Sequence, residues 1–144
     1  MASAGQVIQG QNGYELRFVR TSEETGGELL EMEASYAQAG TFPPAHYHPN
    51  QDERFEVLEG SIRTIVDGEE RTYGAGESFV VPRGSVHQMT SADGPARMNW
   101  QARPALRLAE FFERIHGATP EGPPTAENYQ DFLAEFSDEI VFTA

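Results

Sequence analysis

The sequence predicts an all-β domain, a small barrel or sandwich, followed by two C-terminal α-helices. Three observations carry this prediction. Short segments between Tyr14 and about Ala102 have the pattern of strands, Gly and Pro residues separate them at regular intervals, and the hydrophobic period becomes helical after Ala102. Many short strands with regular turn residues are typical of sandwiches and barrels.

The first two strands are predicted from alternation. Every second residue is apolar in residues 14–18 and again in residues 30–36. Because successive side chains of a strand point to opposite faces, this pattern indicates strands with one buried face.

The later strands are bounded by turn residues. Residues 55–58 lead to Gly60, and residues 62–66 lead to Asp67-Gly68. An Asp-Gly pair suits a tight hairpin turn with positive φ at both central residues. Further strands are predicted over residues 78–81, 86–90 and 97–101.

Two helices are predicted after the last strand. Pro104 suits a first helical position, Gly117 can end that helix, and Thr125 can cap the second one. Their apolar stripes are formed by Ala105, Leu108, Phe112 and Ile115, and by Tyr129, Phe132, Leu133 and Phe136. We therefore divide the chain into a barrel, residues 1–102, and a helical extension, residues 103–144, that packs on the barrel or at a dimer interface.

Length and charge limit the classes of protein. The 144 residues fit one domain, and the net charge of −13 repels nucleic acid phosphates and anionic membranes. No segment is apolar enough to span a bilayer, and the first residues lack the basic and apolar blocks of a signal peptide. The sequence therefore predicts a cytoplasmic protein with no nucleic-acid or membrane partner.

Two absences limit the chemistry. The chain has no Cys, and its ten basic residues are all Arg. Thiolate nucleophiles, iron–sulfur clusters and lysine Schiff bases are therefore excluded. Catalysis would have to use His, carboxylates, Tyr, Ser or Thr, or a bound cofactor.

Three of the four histidines and one glutamate form a candidate metal site. His46 and His48 are two residues apart, so in a strand both imidazoles share one face. Buried imidazoles without partners are costly, and a metal ion would satisfy both. Glu53 follows a turn-rich stretch and has the parity of the core residue Phe55, while His87 begins a strand after a turn. The fourth histidine, near the end of the first predicted helix, is expected to interact with the helix C-terminal carbonyls.

Residues 40–60 and 76–87 resemble the two sequence motifs of the cupin superfamily. The first reads G, five residues, H-x-H, four residues, E, six residues, G, and the second reads G, five residues, P-x-G, two residues, H. The family's second motif continues to an Asn, which is not a metal ligand, where this chain has Ser91. The resemblance implies a small antiparallel jelly-roll barrel that binds one divalent transition metal per chain through His46, His48, Glu53 and His87.

The ligand set suits several metals. Three imidazoles and a carboxylate can bind Fe, Mn, Ni, Cu, Co or Zn. Tetrahedral zinc would keep no open position, whereas an octahedral ion with four protein ligands keeps two. We therefore expect Fe or Mn if the site is catalytic, and Zn or Ni remain possible in the isolated protein.

A mostly apolar pocket is expected beside the metal. The candidates for its wall are Tyr36, Phe42, Tyr47, Phe55, Arg63, Met89, Met98 and Trp100. The apolar ones could simply fill the barrel. Arg63 could hold a substrate carboxylate, or it could be a solvated strand residue.

The favoured function is a metal-dependent enzyme acting on a small organic molecule. Within that class we favour a dioxygenase-like oxidation of a phenolic, enol or diketone substrate, with isomerisation or cyclisation as a variant. The alternatives are a non-catalytic barrel that binds metal or a small ligand, and a purely structural barrel. Small cupins usually pair, so the resemblance also implies a homodimer.

Overall fold

Strands dominate the computed structural model of this chain, which describes residues 2–143. In chain order the elements are β1 (Val7–Gln9), β2 (Glu15–Arg20), α1 (Ser22–Thr25), β3 (Leu30–Tyr36), β4 (His46–Tyr47), β5 (Asp52–Glu59), β6 (Ser61–Val66), β7 (Glu69–Gly74), β8 (Ser78–Val81), β9 (His87–Ser91), β10 (Ala96–Arg103), α2 (Leu108–Ile115), α3 (Tyr129–Glu135) and β11 (Val141–Phe142). Met1 and Ala144, the outer ends of the two predicted regions, lie outside the described residues.

Two antiparallel sheets form the barrel. One has the strand order β1-β2-β3-β10-β5-β8, and the other has the order β11-β4-β9-β6-β7. All of their strand pairs are antiparallel. The predicted class, an antiparallel all-β barrel with C-terminal helices, is confirmed.

Strand parity separates the core from the surface. In β3 the even-numbered residues Leu30, Met32 and Ala34 are fully buried, as the alternation predicts. The opposite face of the same sheet carries ion pairs, such as Arg97 with Glu33 at 3.0 Å and with Glu59 at 3.1 Å. Exposed pairs of this kind contribute little each, so burial of the inner face supplies most of the stability.

The hairpin between β6 and β7 has the predicted turn. Asp67 has φ 49° and Gly68 has φ 83°, so both central residues have positive φ. This turn brings β7 back along β6, from Val66 opposite Glu69 to Ser61 opposite Gly74.

Both C-terminal helices begin later than the sequence predicted. The first one starts at Leu108 because Leu106 has φ 48°, which α-helical backbone does not allow. The second starts at Tyr129, since Thr125 exchanges hydrogen bonds with Asn128 and thereby closes a turn that precedes the helix. None of the helices within residues 2–143 is long and apolar enough to cross a membrane.

The chain returns to the barrel at its C-terminal end. β11 pairs with β4, with Val141 opposite Tyr47 and Phe142 opposite His46. This two-residue strand was not predicted, because its pairing joins segments far apart in sequence. It places the C-terminal segment directly beside the strand that carries His46.

Candidate metal centre

Three imidazoles converge inside the barrel. His46 lies in β4, His48 follows that strand directly, and His87 is the first residue of β9. Because β4 pairs with β9, His46 lies opposite His87. One ring nitrogen from each histidine lies within 4.8 Å of the others, and His48 and His87 are each only 2% exposed.

Glu53 approaches this cluster from the other sheet. It lies in β5, is 1% exposed, and shares the buried face of Phe55 and Val57. Its Oε1 atom is 3.3 Å from Nε2 of His48 and 3.1 Å from Nε2 of His87. The structure therefore brings together all four residues that the two motifs single out.

Backbone carbonyls fix the orientation of the three rings. Nδ1 of His48 lies 2.8 Å from the Glu139 carbonyl oxygen, and Nδ1 of His87 lies 2.8 Å from that of Ser85. Nδ1 of His46 lies 3.3 Å from the carbonyl oxygen of Pro44. A carbonyl oxygen only accepts, so each Nδ1 carries the proton and donates it. In the neutral form of each ring, Nε2 then keeps a lone pair, which is the arrangement that metal-binding histidines adopt.

A cation fits between these groups. Nε2 of His48 and Oε1 of Glu53 are both buried, and neither has a hydrogen-bond partner among the described residues. Two electron-rich atoms that face each other at 3.3 Å leave both unsatisfied, which is costly inside a protein. A metal ion held by both atoms would remove that cost, so the donor set fits a divalent transition metal.

Burial and the Glu53 carboxylate together set the charge of the site. Burial alone would lower the pKa of His87, but the neighbouring Glu53 outweighs it and raises that pKa, whereas burial dominates at the other two histidines. Burial lowers the pKa of His46 to about 3, with His87 and His48 adding like-charge repulsion, and burial also lowers the pKa of His48. Both imidazoles are therefore neutral at pH 7, the form that binds metals. Burial alone would raise the pKa of Glu53, but attraction to His48 and His87 and the hydrogen bond from Trp100 outweigh it and lower that pKa.

Trp100 holds the carboxylate in place. The Nε1 atom of this residue in β10 donates a hydrogen bond of 2.6 Å to Oε2 of Glu53. The other oxygen, Oε1, then faces the histidines. Trp100 was predicted as part of the pocket wall, and this second role was not.

A cavity of about 630 Å³ opens next to His46 and His87. Five of the candidate wall residues line it: Tyr36, Phe55, Met89, Met98 and Trp100. Its outer wall comes from α2, the start of α3 and the segment after α3, including Phe111, Phe112 and Phe142. The pocket is therefore built by both the barrel and the helical extension.

Three candidate wall residues lie elsewhere. Ile62 and Thr64 point into the barrel, so Arg63 between them is on the outer face of β6. Its guanidinium stacks on the Phe42 ring at 4.4 Å, and its Nε lies 3.6 Å from Glu70. None of the three, Arg63, Phe42 and Tyr47, lines the cavity. Of the two interpretations of Arg63, the structure therefore supports the strand residue on the outer face, and the candidate role of holding a substrate carboxylate in the pocket is corrected.

Sequence reasoning missed several polar residues of the cavity, and two of them are aromatic or heteroaromatic rings in contact with each other. Tyr14 and His116 both line it, and their rings stack with centroids 6.4 Å apart. The ring of His116 faces the cavity rather than the helix C-terminal carbonyls. No local signal could have indicated this, because the contact joins the start of β2 to the end of α2.

Comparisons with known proteins agree with the fold and the motifs. Residues 33–101 match the family described as Cupin domain. Germin-like protein 3-5 of Oryza sativa subsp. japonica is 34% identical over 98 residues, covering 60% of this chain and 43% of that protein. The tetracenomycin polyketide synthase protein TcmJ of Streptomyces glaucescens is 33% identical over 88 residues, covering 60% of this chain and 57% of that protein. The chain thus spans about half the length of the curated relatives it matches.

Solved structures show the same fold. An RmlC-like cupin from Shewanella frigidimarina superposes with a TM-score of 0.63 at 19% identity, covering 73% of this chain and 88% of that one. A recombinant oxalate oxidase in complex with glycolate gives a TM-score of 0.56 at 24% identity, covering 72% of this chain and 56% of that one. The match of residues 33–101 to the Cupin domain family, together with the two motifs, supports membership of the cupin superfamily, and the two solved structures show the same fold.

Proposed function

We propose that the chain binds one divalent transition metal ion through His46, His48, Glu53 and His87, and that it is a metal-dependent enzyme acting on a small organic molecule. The observation that carries the proposal is the buried, unpartnered pair formed by Nε2 of His48 and Oε1 of Glu53. A purely structural site would not need the adjoining cavity, which reaches His46 and His87.

The number of ligands favours a catalytic ion. An octahedral ion with four protein ligands keeps two positions for substrate or dioxygen, so Fe or Mn is the expected native metal. Zn or Ni in the purified protein would be compatible with binding at the same residues. When bound, such an ion supplies Lewis-acid or redox chemistry to an oxygen atom of the substrate.

The residues around the ligands prepare the site. The three backbone carbonyls fix the imidazoles, and Trp100 fixes Glu53. The apolar wall excludes water from a bound substrate, which strengthens the electrostatic interactions inside the cavity. The chain therefore orients its ligand atoms before any substrate arrives.

The preferred reaction is an oxygen-using oxidation of a phenolic, enol or diketone substrate. Such substrates can present one or two oxygen atoms to a metal ion with open positions. One relative is named as a tetracenomycin polyketide synthase protein, and polyketides carry ketone and enol oxygens of this kind. Isomerisation or cyclisation of such a substrate is the variant. The division into barrel and extension, the homodimer and the cytoplasmic location stay predictions.

Metal analysis tests the proposal. We expect about one equivalent of transition metal in wild-type protein purified without affinity metals, and a large loss in His48→Ala. His116→Ala is the matched control, because that histidine lies outside the ligand set and should leave the metal content unchanged. Equal metal in wild type and His48→Ala would contradict the assignment.

Oxygen uptake tests the reaction. Anaerobically reconstituted protein should consume oxygen when a phenolic or diketone substrate is added. Turnover without oxygen would select the isomerase or cyclase variant. Substrate-dependent stabilisation without turnover would select the non-catalytic ligand-binding cupin.

A further inference from the structure

The wall of the cavity beside the metal centre consists of apolar side chains, neutral polar side chains and histidines. Within residues 2–143, none of the side chains that line it is Asp, Glu, Lys or Arg, although the chain carries 33 such residues, 23 acidic and 10 basic. Arg63, which the sequence suggested for a carboxylate, is on the outer face of β6. An anionic group away from the metal would therefore find no positive partner, and the net charge of −13 would repel it.

The middle of the cavity is shaped for flat rings. Trp100 stacks with Phe55 at a centroid distance of 5.5 Å and meets Phe112 at 5.2 Å. Met89 and Met98 line the same space, and thioethers pack well against aromatic rings. Aromatic walls of this kind favour an aromatic ligand over a small aliphatic acid.

Polar side chains line the end of the cavity that is far from the candidate metal ligands. Tyr36 pairs with Ala96 in β10, whereas Trp100, four residues further along, bonds to Glu53. Four residues of strand span about 13 Å. Tyr14 lies against Tyr36 with ring centroids 5.1 Å apart, and both residues line the cavity. The two phenols therefore lie at the opposite end of the cavity from the metal ligands.

The hydroxyl groups of Tyr14 and Tyr36 have no hydrogen-bond partner within residues 2–143. The pKa values of both phenols are shifted by burial, and that of Tyr14 also by Tyr36, with no hydrogen bond contributing. Burial raises the pKa of both phenols, so each stays protonated and can donate a hydrogen bond. Partly buried donors that face a cavity without a partner are available to a ligand.

We infer that the cavity takes an uncharged, flat, fused-ring phenol. Its metal-binding oxygens would lie at the end of the cavity that His46 and His87 line, and an oxygen at its other end would accept hydrogen bonds from Tyr36 and Tyr14. This inference rests on the proposed function for the orientation of the ligand. The phenol end of the ligand site does not depend on the metal. Tyr36 and Tyr14 are thus specificity-determining residues.

Trp100 provides the readout, because it is the only tryptophan of the chain and lines the cavity. Quenching of its fluorescence is measured with catechol, naphthalene-2,3-diol, naphthalene-2,3,6-triol and the 6-sulfonate of the diol. The diol should bind about 10-fold more tightly than catechol, because its second ring is buried in the cavity. The third hydroxyl should increase the affinity by a further factor of about 3 to 10, because the tyrosines can hydrogen-bond to it. The sulfonate should bind more weakly than the diol, because it is anionic.

Tyr36→Phe should remove most of the triol's advantage over the diol, because it deletes the hydroxyl and keeps the ring. The control is Tyr73→Phe, since Tyr73 packs on Phe79 outside the cavity and should leave the triol-to-diol ratio unchanged. Equal binding of catechol and diol, or of sulfonate and diol, would overturn the inference. So would a triol-to-diol ratio that Tyr36→Phe leaves intact.

The titrations are run with metal-loaded and chelator-treated protein. The triol-to-diol ratio should persist without metal, because the tyrosine contact does not involve the ion. If metal analysis finds no bound metal while this ratio survives, the proposed metal-dependent enzyme fails, and the inference about the molecule that the cavity takes stands. If the metal-loaded protein binds triol and diol equally well, the inference about the molecule in the cavity fails, and the proposed metal-dependent enzyme stands.

Discussion

Trp100 links the candidate ligands to the cavity wall. Its indole donates to one oxygen of Glu53, and its ring packs between Phe55 and Phe112. A hydrogen bond from a buried donor to a carboxylate is stronger than one between neutral groups. Outer groups that orient a ligand in this way tune metal affinity although they do not touch the metal.

Trp100→Phe should weaken metal binding by about 10- to 100-fold, because Glu53 loses the donor that aims its other oxygen at the histidines. Competition with a chromophoric chelator measures the affinity. The variant should keep a stoichiometry of one metal per chain. Far-ultraviolet circular dichroism checks that the variant keeps its structure. Phe112→Leu is the matched control, because it changes the same packing contact without touching Glu53. Unchanged affinity in Trp100→Phe would contradict this role.

The four candidate ligands could be predicted from the sequence because they lie at fixed offsets within two local motifs. Tyr14, His116 and Glu139 could not, since their contacts join segments that only the fold brings together. For Arg63 the sequence left two interpretations open, because its chemistry allowed an inward role; its position between the buried residues Ile62 and Thr64 decides for the outer face.

At the level of elements, alternation predicted the long strands and missed the short or polar ones. β3 and β5 have clear buried faces, with the pattern that a half-buried strand requires. No residue of β7 is buried, so it lacks that signal, and β1 and β11 are only three and two residues long. Their existence depends on pairing with a neighbour rather than on local preference.

The short helix α1 is held by a capping box. Oε1 of Glu24 accepts hydrogen bonds from the backbone N–H of Thr21 at 2.7 Å and from its hydroxyl at 2.8 Å. These bonds, the backbone one first, lower the pKa of Glu24 in the folded protein. A carboxyl whose pKa is lower in the folded state stabilises the fold above its unfolded pKa and loses that contribution as the pH falls through the folded pKa.

Glu24→Gln should therefore lower the melting temperature at neutral pH, and the difference from wild type should shrink as the pH falls below about 4. Thermal unfolding followed by circular dichroism over that range measures it. Glu23→Gln is the matched control, because it removes a charge from the same turn without touching Thr21. A difference that stays constant with pH would show that the carboxylate is not the group responsible.

At the scale of the whole molecule, the candidate metal centre lies between the two sheets. Glu53 comes from the six-stranded sheet, and His46 and His87 come from the five-stranded one. An ion bound to all of them would join the sheets directly. Because the unfolded chain cannot assemble this ligand set, binding would add to the free energy of unfolding.

Metal at a free concentration of 100 times its Kd should stabilise the protein by about 2.7 kcal/mol. For a chain of this size, this corresponds to a rise in melting temperature of about 5 to 10 °C. Differential scanning calorimetry measures the rise, which a chelator should reverse. His48→Ala should show little or no rise at the same metal concentration. An equal rise in both proteins would mean that the ion binds elsewhere.

The candidate metal ligands come from the barrel alone, whereas the cavity wall comes from both the barrel and the helical extension. All four candidate ligands lie on strands or directly after them, whereas much of the outer wall belongs to α2, α3 and the segment that follows. Substitutions in those helices can reshape the cavity without moving a ligand atom. The same barrel can therefore acquire a new substrate preference in small mutational steps, and directed evolution of this protein should begin at the helical wall.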